Sequence, residues 1–244
     1  MITICLTYFR SLTLANLRAA LDSVRCQDLS RVARLVVVDN NTDDRREEIE
    51  AIVMSGFTIP VIVRSFKHGD LTRTHAWSTN MAVRDAETPW VFCTRADYIL
   101  DQHAVAKFWA IADAQGDDWN GFVTSNGKHL HACVEDCGTL DLRTAPGVEF
   151  SYTCIDAGVW MARRDVFDRV GGLNERLSAW GHAQTHFQYK LHAAGTECVR
   201  INETLFFHPT HGGERDLAKA HADLVNIGMT ARELWERYDG TRPY

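Results

Sequence analysis

The sequence has no long apolar run and no excess of positive charge. None of its apolar stretches approaches the roughly 18 residues that cross a bilayer, so the 244 residues predict no transmembrane helix. Lysine and arginine together number 26 against 32 aspartates and glutamates, which gives a formal net charge of −6. Because proteins held to nucleic acid by bulk charge are normally basic, any such contact here requires a local basic patch.

Features of a secreted chain are also missing. Residues 1–6 have no basic segment before their apolar stretch and are typical of a strand rather than of a signal peptide. The seven cysteines are an odd number, and without an export signal we expect free thiols and a cytoplasmic location. Four possible zinc ligands lie close together, but their spacing matches no common zinc pattern, so a structural zinc is disfavoured; they are His129, His131, Cys133 and Cys137.

Strand and helix patterns alternate through the first hundred residues. Residues 35–38 form a continuous apolar run, as expected of a strand buried on both faces of a parallel sheet. Strands that alternate with helices predict βαβ units, and therefore an α/β fold with a mostly parallel sheet. The remaining apolar runs lie at 2–7, 59–63 and 90–93, and the helical patterns lie at 12–26, 43–54 and 72–85.

From about residue 101 the pattern changes, although no flexible linker separates the two halves. We therefore expect one domain over residues 1–244, in which residues 1–100 hold a nucleotide-sized site and residues 101–213 supply its other wall. The second half predicts helices at 101–114, 163–170 and 182–194, short strands within 120–134, a loop-rich stretch at 135–150, an apolar run at 154–162, two short strands within 196–207 and C-terminal helices over 214–244.

Polar residues follow each of the first four predicted strands. In an open α/β sheet these carboxyl ends converge and bind ligands. No glycine-rich fingerprint follows the first strand, which argues against a dinucleotide site or a P-loop. An aromatic residue, an acid–amide cluster and basic residues together suit a nucleobase, a ribose and a diphosphate. The four segments are Thr7 to Arg10, Asp39 to Asn41, His68 to Arg73 and Arg95 to Asp97.

Motifs in two parts of the chain carry a family resemblance. Residues 2–44 resemble an opening βαβ unit that ends in an Asp-Asn-Gly-Ser-x-Asp motif, here DNNTD at 39–43. Residues 158–181, GVWMARRDVFDRVGGLNERLSAWG, are similar to an acceptor-side signature. The sequence thus resembles nucleotide-sugar-dependent glycosyltransferases of the GT-A fold, especially family 2. The resemblance implies a Rossmann-like, mostly parallel sheet flanked by helices, with a smaller acceptor-binding region in the second half.

The resemblance also implies a donor site. Asp39 would accept a hydrogen bond from the N3–H of a uracil-like base, Tyr8 would lie against the base or ribose, and Arg73 would reach the diphosphate. The alternatives are a turn and helix cap for Asp39, core packing for Tyr8 and an exposed surface position for Arg73. The full implied set is Thr7, Tyr8, Arg10, Asp39, Asn41, Arg73, Arg95 and Asp97.

The metal motif departs from the family pattern. Relatives usually carry Asp-x-Asp after the fourth strand, whereas this chain has Arg95-Ala96-Asp97. The resemblance implies a manganese or magnesium ion held by Asp97 and His208, with His211 nearby, by diphosphate oxygens and by water. In the competing interpretation Arg95 itself neutralises the departing diphosphate. Either arrangement puts positive charge where negative charge develops, and we favour the metal.

The catalytic base of inverting relatives is also missing. They carry Trp-Gly-x-Glu-Asp, whereas this chain reads Trp180-Gly181-His182-Ala183-Gln184, followed by Thr185 and His186. An amide cannot accept a proton near neutral pH, but an imidazole can. The candidate bases are therefore His182, His186, Glu175 and Asp156. Without a base, the reaction could instead retain stereochemistry, with the leaving phosphate taking the proton.

The leading hypothesis is an enzyme that moves a sugar from a nucleoside-diphosphate sugar to an acceptor hydroxyl entering over Trp180 and Gly181. A saccharide, a protein side chain or a hydroxymethylated DNA base could be the acceptor. A flipped DNA base would need a local basic rim, for which the candidates are Arg10, Lys67, His68, Arg73 and His75. The alternatives are a catalytically silent sugar-binding protein on the same fold and a nucleotidyltransferase, whose glycine- and lysine-rich loop is absent.

Overall fold

The computed structural model describes residues 1–9, 12–42, 45–67, 74–150, 158–177 and 182–210. Apolar residues at helical spacing and a capping box between Thr13 and Asn16 start the first helix. The elements of the first half are β1 (Ile2–Phe9), α1 (Leu14–Arg25), β2 (Val32–Thr42), α2 (Arg46–Met54), β3 (Val61–Lys67), α3 (His75–Arg84) and β4 (Trp90–Arg95).

The second half mixes short and long elements. They are β5 (Ile99–Leu100), α4 (Ala104–Gln115), β6 (Gly121–Cys133), α5 (Val134–Cys137), β7 (Gly147–Phe150), β8 (Trp160–Arg163), α6 (Arg164–Arg169), α7 (His182–Ala193) and β9 (Glu197–Thr210). No helix in the described ranges is long and apolar enough to cross a membrane. The predicted C-terminal helices over 214–244 lie outside the described residues.

The described strands form one nine-stranded sheet in the order β3-β2-β1-β4-β8-β6-β9-β5, with β7 paired to β6. The first four strands in this order are mutually parallel. Strand β8 runs antiparallel to both β4 and β6, so β6 runs in the same direction as β4. Strand β9 is parallel to β6. The carboxyl ends of β1, β2, β4, β6 and β9 therefore share one edge of the sheet.

Two apolar clusters cover the two faces of the sheet. One includes Leu17 and Leu21 of α1, Ile49 of α2 and Phe108 of α4. The other includes Val83 of α3 and, from α6 and α7, the rings of Phe167 and Phe187. A sheet with helices on both faces confirms the predicted α/β class, and buried strands explain the continuous apolar run in β2.

Two elements differ from the sequence prediction. Short strands were expected within 120–134 and 196–207, but β6 and β9 are single strands of 13 and 14 residues. Their pairing shifts register around Asn126 and again between His129 and Cys133. The loop-rich stretch at 135–150 also contains the short elements α5 and β7. The extension of β6 and β9 carries two histidines to the edge where the parallel strands end.

Candidate active site at the strand ends

The sheet register aligns the ends of the first strands. Tyr8 of β1 pairs with Asp39 of β2, and Thr7 of β1 pairs with Arg95 of β4. Asp39 and Arg95 thus lie on either side of β1 at the same edge. This edge is where α/β proteins bind ligands.

Asp39 is completely buried at this edge. The charge of Asp39 also reaches Arg46 on α2. The pKa of that guanidinium is raised chiefly by its hydrogen bond with Glu50 and, to a smaller extent, by the charge of Asp39. A buried carboxylate is costly unless polar groups surround it, so Asp39 marks a polar environment at this edge. The side chain of Asn41, expected nearby, lies outside the described residues.

Tyr8 is not placed as the base-stacking role requires. Its ring is 1% exposed within the core, and its hydroxyl donates to the backbone oxygen of Leu12 at 3.1 Å. This corrects the expected role of Tyr8 and favours the packing alternative. The aromatic residue that emerges at the strand end is Phe9, which is half-buried beside His75 with 5.9 Å between ring centroids.

A buried ion pair occupies the end of β4. The Arg95 guanidinium donates to both carboxylate oxygens of Asp97, from Nε at 3.0 Å and from Nη2 at 2.6 Å. It also donates to the Tyr98 hydroxyl at 2.6 Å and lies 4.5 Å from the centroid of that ring. The side chains of Arg95 and Asp97 are only 9% and 2% exposed. Their opposite charges cancel inside the site.

Two histidines complete the cluster from the other half of the sheet. His208 of β9 points Nε2 at Asp97 Oδ2, 3.4 Å away, and its ring lies at 68° to the Tyr98 ring with 5.1 Å between the centroids. Its other nitrogen, Nδ1, lies 2.8 Å from Nδ1 of His129 on β6. These two residues are register partners in the parallel β6–β9 ladder. Sequence inspection linked His208 to Asp97 by resemblance, but it assigned His129 only to the disfavoured zinc cluster.

Comparison with known proteins identifies the family. The model of the family described as glycosyl transferase family 2 matches residues 3–128, just over half of the chain. The chain belongs to glycosyl transferase family 2. A curated relative, the capsule K3-specific depolymerase 1 of Klebsiella phage KP32, is 26% identical over 137 residues, which cover 54% of this chain and 15% of the depolymerase.

Solved structures share the GT-A fold of this family. Staphylococcus aureus TarS 1-349 in complex with UDP-GlcNAc matches with a TM-score of 0.63 and 14% identity, over 97% of this chain and 69% of that one. The mannosyltransferase PcManGT from Pyrobaculum calidifontis, in complex with GDP-Man and Mn2+, matches with a TM-score of 0.62 and 16% identity. The match covers 99% of this chain and 65% of PcManGT. Against the longer TarS chain, this family 2 chain spans 41% of the length.

The donor set at the Asp97–His208 pair is suitable for a divalent cation bound together with a substrate. A carboxylate oxygen and an imidazole nitrogen 3.4 Å apart can contact one ion between them. Within the described ranges, no group of three or more His, Cys, Asp or Glu side chains could hold a metal. Further ligands would therefore come from the diphosphate and water, as is usual for magnesium. Arg95 already neutralises Asp97, which weakens the pair's attraction for a cation in the absence of a diphosphate.

His75 is a site residue that sequence inspection named only as part of a basic rim. It begins α3 after the N-cap Thr74, and its Nδ1 lies 3.4 Å from the hydroxyl of Thr7. Burial, and secondarily the charge of Arg95, lower the pKa of His75 to about 3. The imidazole is therefore uncharged at neutral pH, and it adds no positive charge to the predicted rim.

The surroundings of two of the candidate bases oppose the expected role. The Glu175 carboxylate accepts hydrogen bonds from Asn80 at 2.8 Å and from Arg84 at 3.2 Å, so it ties its loop to α3. His186 lies on α7, where burial and then the charge of Lys190 lower its pKa to about 4. An imidazole with so low a pKa is a weak proton acceptor at neutral pH. These placements correct the expectation that Glu175 or His186 provides the base.

The remaining expected residues fall outside the described part of the chain. For His182, only its backbone position at the start of α7 is described. The others are Arg10, His68, Arg73, Asp156, Trp180, Gly181 and His211, together with the side chain of Lys67.

The disfavoured zinc cluster is spread along β6 and α5. The Cys133 thiol donates to Asp136 at 3.0 Å, and the Cys137 thiol donates to the backbone oxygen of Cys133 at 3.3 Å. His131 is exposed, whereas His129 contacts His208. All cysteines in the described ranges are free thiols.

Proposed function

We propose that this family 2 chain transfers a sugar from a nucleoside-diphosphate sugar to an acceptor hydroxyl. The observation that carries the proposal is the buried Arg95–Asp97–His208 cluster, which lies at the same sheet edge as the buried Asp39. One side of this edge offers a carboxylate for a base, and the other offers polar groups for a diphosphate. TarS with UDP-GlcNAc and PcManGT with GDP-Man share the fold.

Donor binding is assigned from the strand ends. Asp39 accepts the N3–H of a uracil-like base, because it lies near the carboxyl end of β2, at the ligand-binding edge. Phe9 takes the aromatic position that was expected of Tyr8. Arg10, Asn41 and Arg73 belong to the same proposed set, and Arg73 would bind the diphosphate with the amide groups that begin α3.

Positive charge at the leaving group comes from two sources. Asp97 and His208 would hold manganese or magnesium, which supplies Lewis acidity to the diphosphate when it is bound. His211 is a further proposed ligand. Arg95 lies against the same carboxylate, and once a bound cation offsets the charge of Asp97, the guanidinium contributes a second, permanent positive charge. Because Arg95 and Asp97 cancel, we expect the cation to bind well only together with the negative diphosphate.

Acceptor activation is assigned to His182, with Asp156 as the second candidate. His182 begins α7 directly after Trp180 and Gly181, the pair over which the acceptor enters by resemblance. An unperturbed imidazole titrates near 6.5 and can take a hydroxyl proton at neutral pH. Replacing His182 with alanine should lower kcat by roughly 100-fold or more, whereas His186→Ala should change it little.

The acceptor we favour is a saccharide. The formal net charge of −6 opposes a polyanionic acceptor, and His75, the member of the predicted basic rim whose side chain is described, is uncharged at neutral pH. Hydroxymethylated DNA is kept as a comparison acceptor in the test.

The test measures nucleoside diphosphate released from UDP- and GDP-sugars, with Mn2+ or EDTA, in the presence of saccharide or hydroxymethylated DNA acceptors. We expect release that depends on a saccharide and on Mn2+, with a defined anomer in the product. Nucleotide-sugar binding without release would indicate a silent binding protein. Pyrophosphate release from a nucleoside triphosphate and a sugar phosphate would indicate a nucleotidyltransferase. Transfer to DNA alone would overturn the saccharide assignment.

A further inference from the structure

The contact between His129 and His208 has a consequence for metal binding. Their Nδ1 atoms are 2.8 Å apart, and their ring centroids are 4.8 Å apart. Two neutral imidazoles can share such a contact only when one Nδ1 carries the proton and the other offers its lone pair. The contact therefore couples the tautomer of one ring to that of the other.

Only one of the two arrangements leaves His208 able to bind a cation. When the proton lies on Nδ1 of His208 and is donated to His129, Nε2 of His208 keeps its lone pair and faces Asp97 Oδ2 at 3.4 Å. In the opposite arrangement Nε2 of His208 carries the proton and directs it at the same carboxylate. The ring then cannot serve as a ligand.

We propose that His129 is a positioning residue that fixes the ring of His208 and accepts its Nδ1 proton, so that the Asp97–His208 pair can take a divalent cation. The inference rests on the proposed function, because the cation arrives with a nucleoside diphosphate. Partners that orient a metal-bound imidazole typically affect metal affinity by about 10- to 100-fold. His129 is held for this role by the β6–β9 ladder, in which it is the register partner of His208.

The test compares His129→Leu with His129→Asn. Leucine removes the acceptor, whereas the side-chain oxygen of asparagine lies close to the place of Nδ1 and can accept the same proton. His131→Leu is the matched control, since His131 is exposed on the same strand. Thermal unfolding establishes that each variant is folded. Calorimetry then measures UDP binding with Mn2+ and with EDTA, and 15N spectra recorded with diamagnetic Mg2+ report the tautomer of His208.

We expect His129→Leu to weaken Mn2+-dependent UDP binding by about 10- to 100-fold, while UDP binding in EDTA is unchanged. His129→Asn should recover most of the loss, and His131→Leu should match the wild type. The wild-type spectrum with Mg2+ and UDP should show the Nδ1 proton on His208.

Two results would overturn the inference, and they can be told apart. Wild-type binding of UDP with Mn2+, together with an unchanged His129→Leu variant, would contradict the positioning role alone and leave the proposed function in place. Wild-type protein that binds UDP neither with Mn2+ nor in EDTA would contradict the proposed function, and the inference with it.

Discussion

At the scale of single residues, the unusual feature is a buried arginine where relatives usually carry an acid. Arg95 and Asp97 are nearly inaccessible, and two hydrogen bonds join them. Taking two charges out of water is costly, and the pair is favourable mainly in comparison with leaving one partner alone. Removing one partner should therefore lower the free energy of unfolding much more than removing both.

Arg95→Leu should lower the free energy of unfolding by about 3–5 kcal/mol, because Asp97 is left buried without its cation. The double variant Arg95→Leu/Asp97→Leu should recover most of that stability. Urea unfolding of the two single variants and the double variant measures the coupling. Additive losses would show that the two side chains do not act as a pair.

At the scale of elements, the segment just before β8 packs closely against the Arg95–Asp97 ion pair and Tyr98. Gly158 has φ +72°, and a Cβ there would lie 2.8 Å from the Tyr98 ring and 3.2 Å from Arg95 Nε. Glycine is required for both the backbone conformation and the close approach. The end of β4 and the start of β8 are thus fitted to each other around Arg95.

Gly158→Ala should destabilise the protein by about 1–3 kcal/mol and weaken UDP binding, because the methyl group displaces Tyr98 and Arg95. Gly138→Ala is the matched control, since Gly138 has φ −64° and nothing within 4 Å of a new Cβ. Thermal unfolding and UDP titration measure the two effects. A Gly158→Ala variant as stable as Gly138→Ala would contradict the proposed fit.

Two helices carry histidines that resist protonation. The pKa of His75 on α3 is lowered to about 3, and that of His186 on α7 to about 4, in both cases chiefly by burial. Between these values and about 6.5 the unfolded chain binds protons that the folded chain does not, so stability rises with pH and is lost on acidification.

Acidification from pH 6.5 towards pH 4 should therefore reduce the free energy of unfolding by up to about 1.4 kcal/mol per pH unit for each of these histidines. His75→Gln and His186→Gln should each make the free energy of unfolding depend less steeply on pH. Urea unfolding at a series of pH values provides the measurement. An unchanged slope in both variants would contradict the low pKa values.

At the scale of the whole molecule, the sequence predicts the first half better than the second. Strands β1 to β4 each contain a short apolar run, and amphipathic helices separate them, so local periodicity is sufficient there. Strands β6 and β9 contain polar and irregular positions, and their pairing joins residues 79 apart, such as His129 and His208. Such pairings leave no local pattern. The contact of Glu175 with α3 is hidden for the same reason.

The central claim is that the ends of β1, β2 and β4 bind a nucleoside diphosphate, and Asp39 tests it most directly. Asp39→Asn removes the carboxylate that we propose as acceptor of the base N3–H and leaves a side chain of the same shape. Calorimetric titration of UDP in the presence of Mn2+ should show binding to the wild type and roughly tenfold or greater loss in the variant, with the thermal unfolding midpoint little changed. Equal UDP affinity in the two proteins would contradict the account.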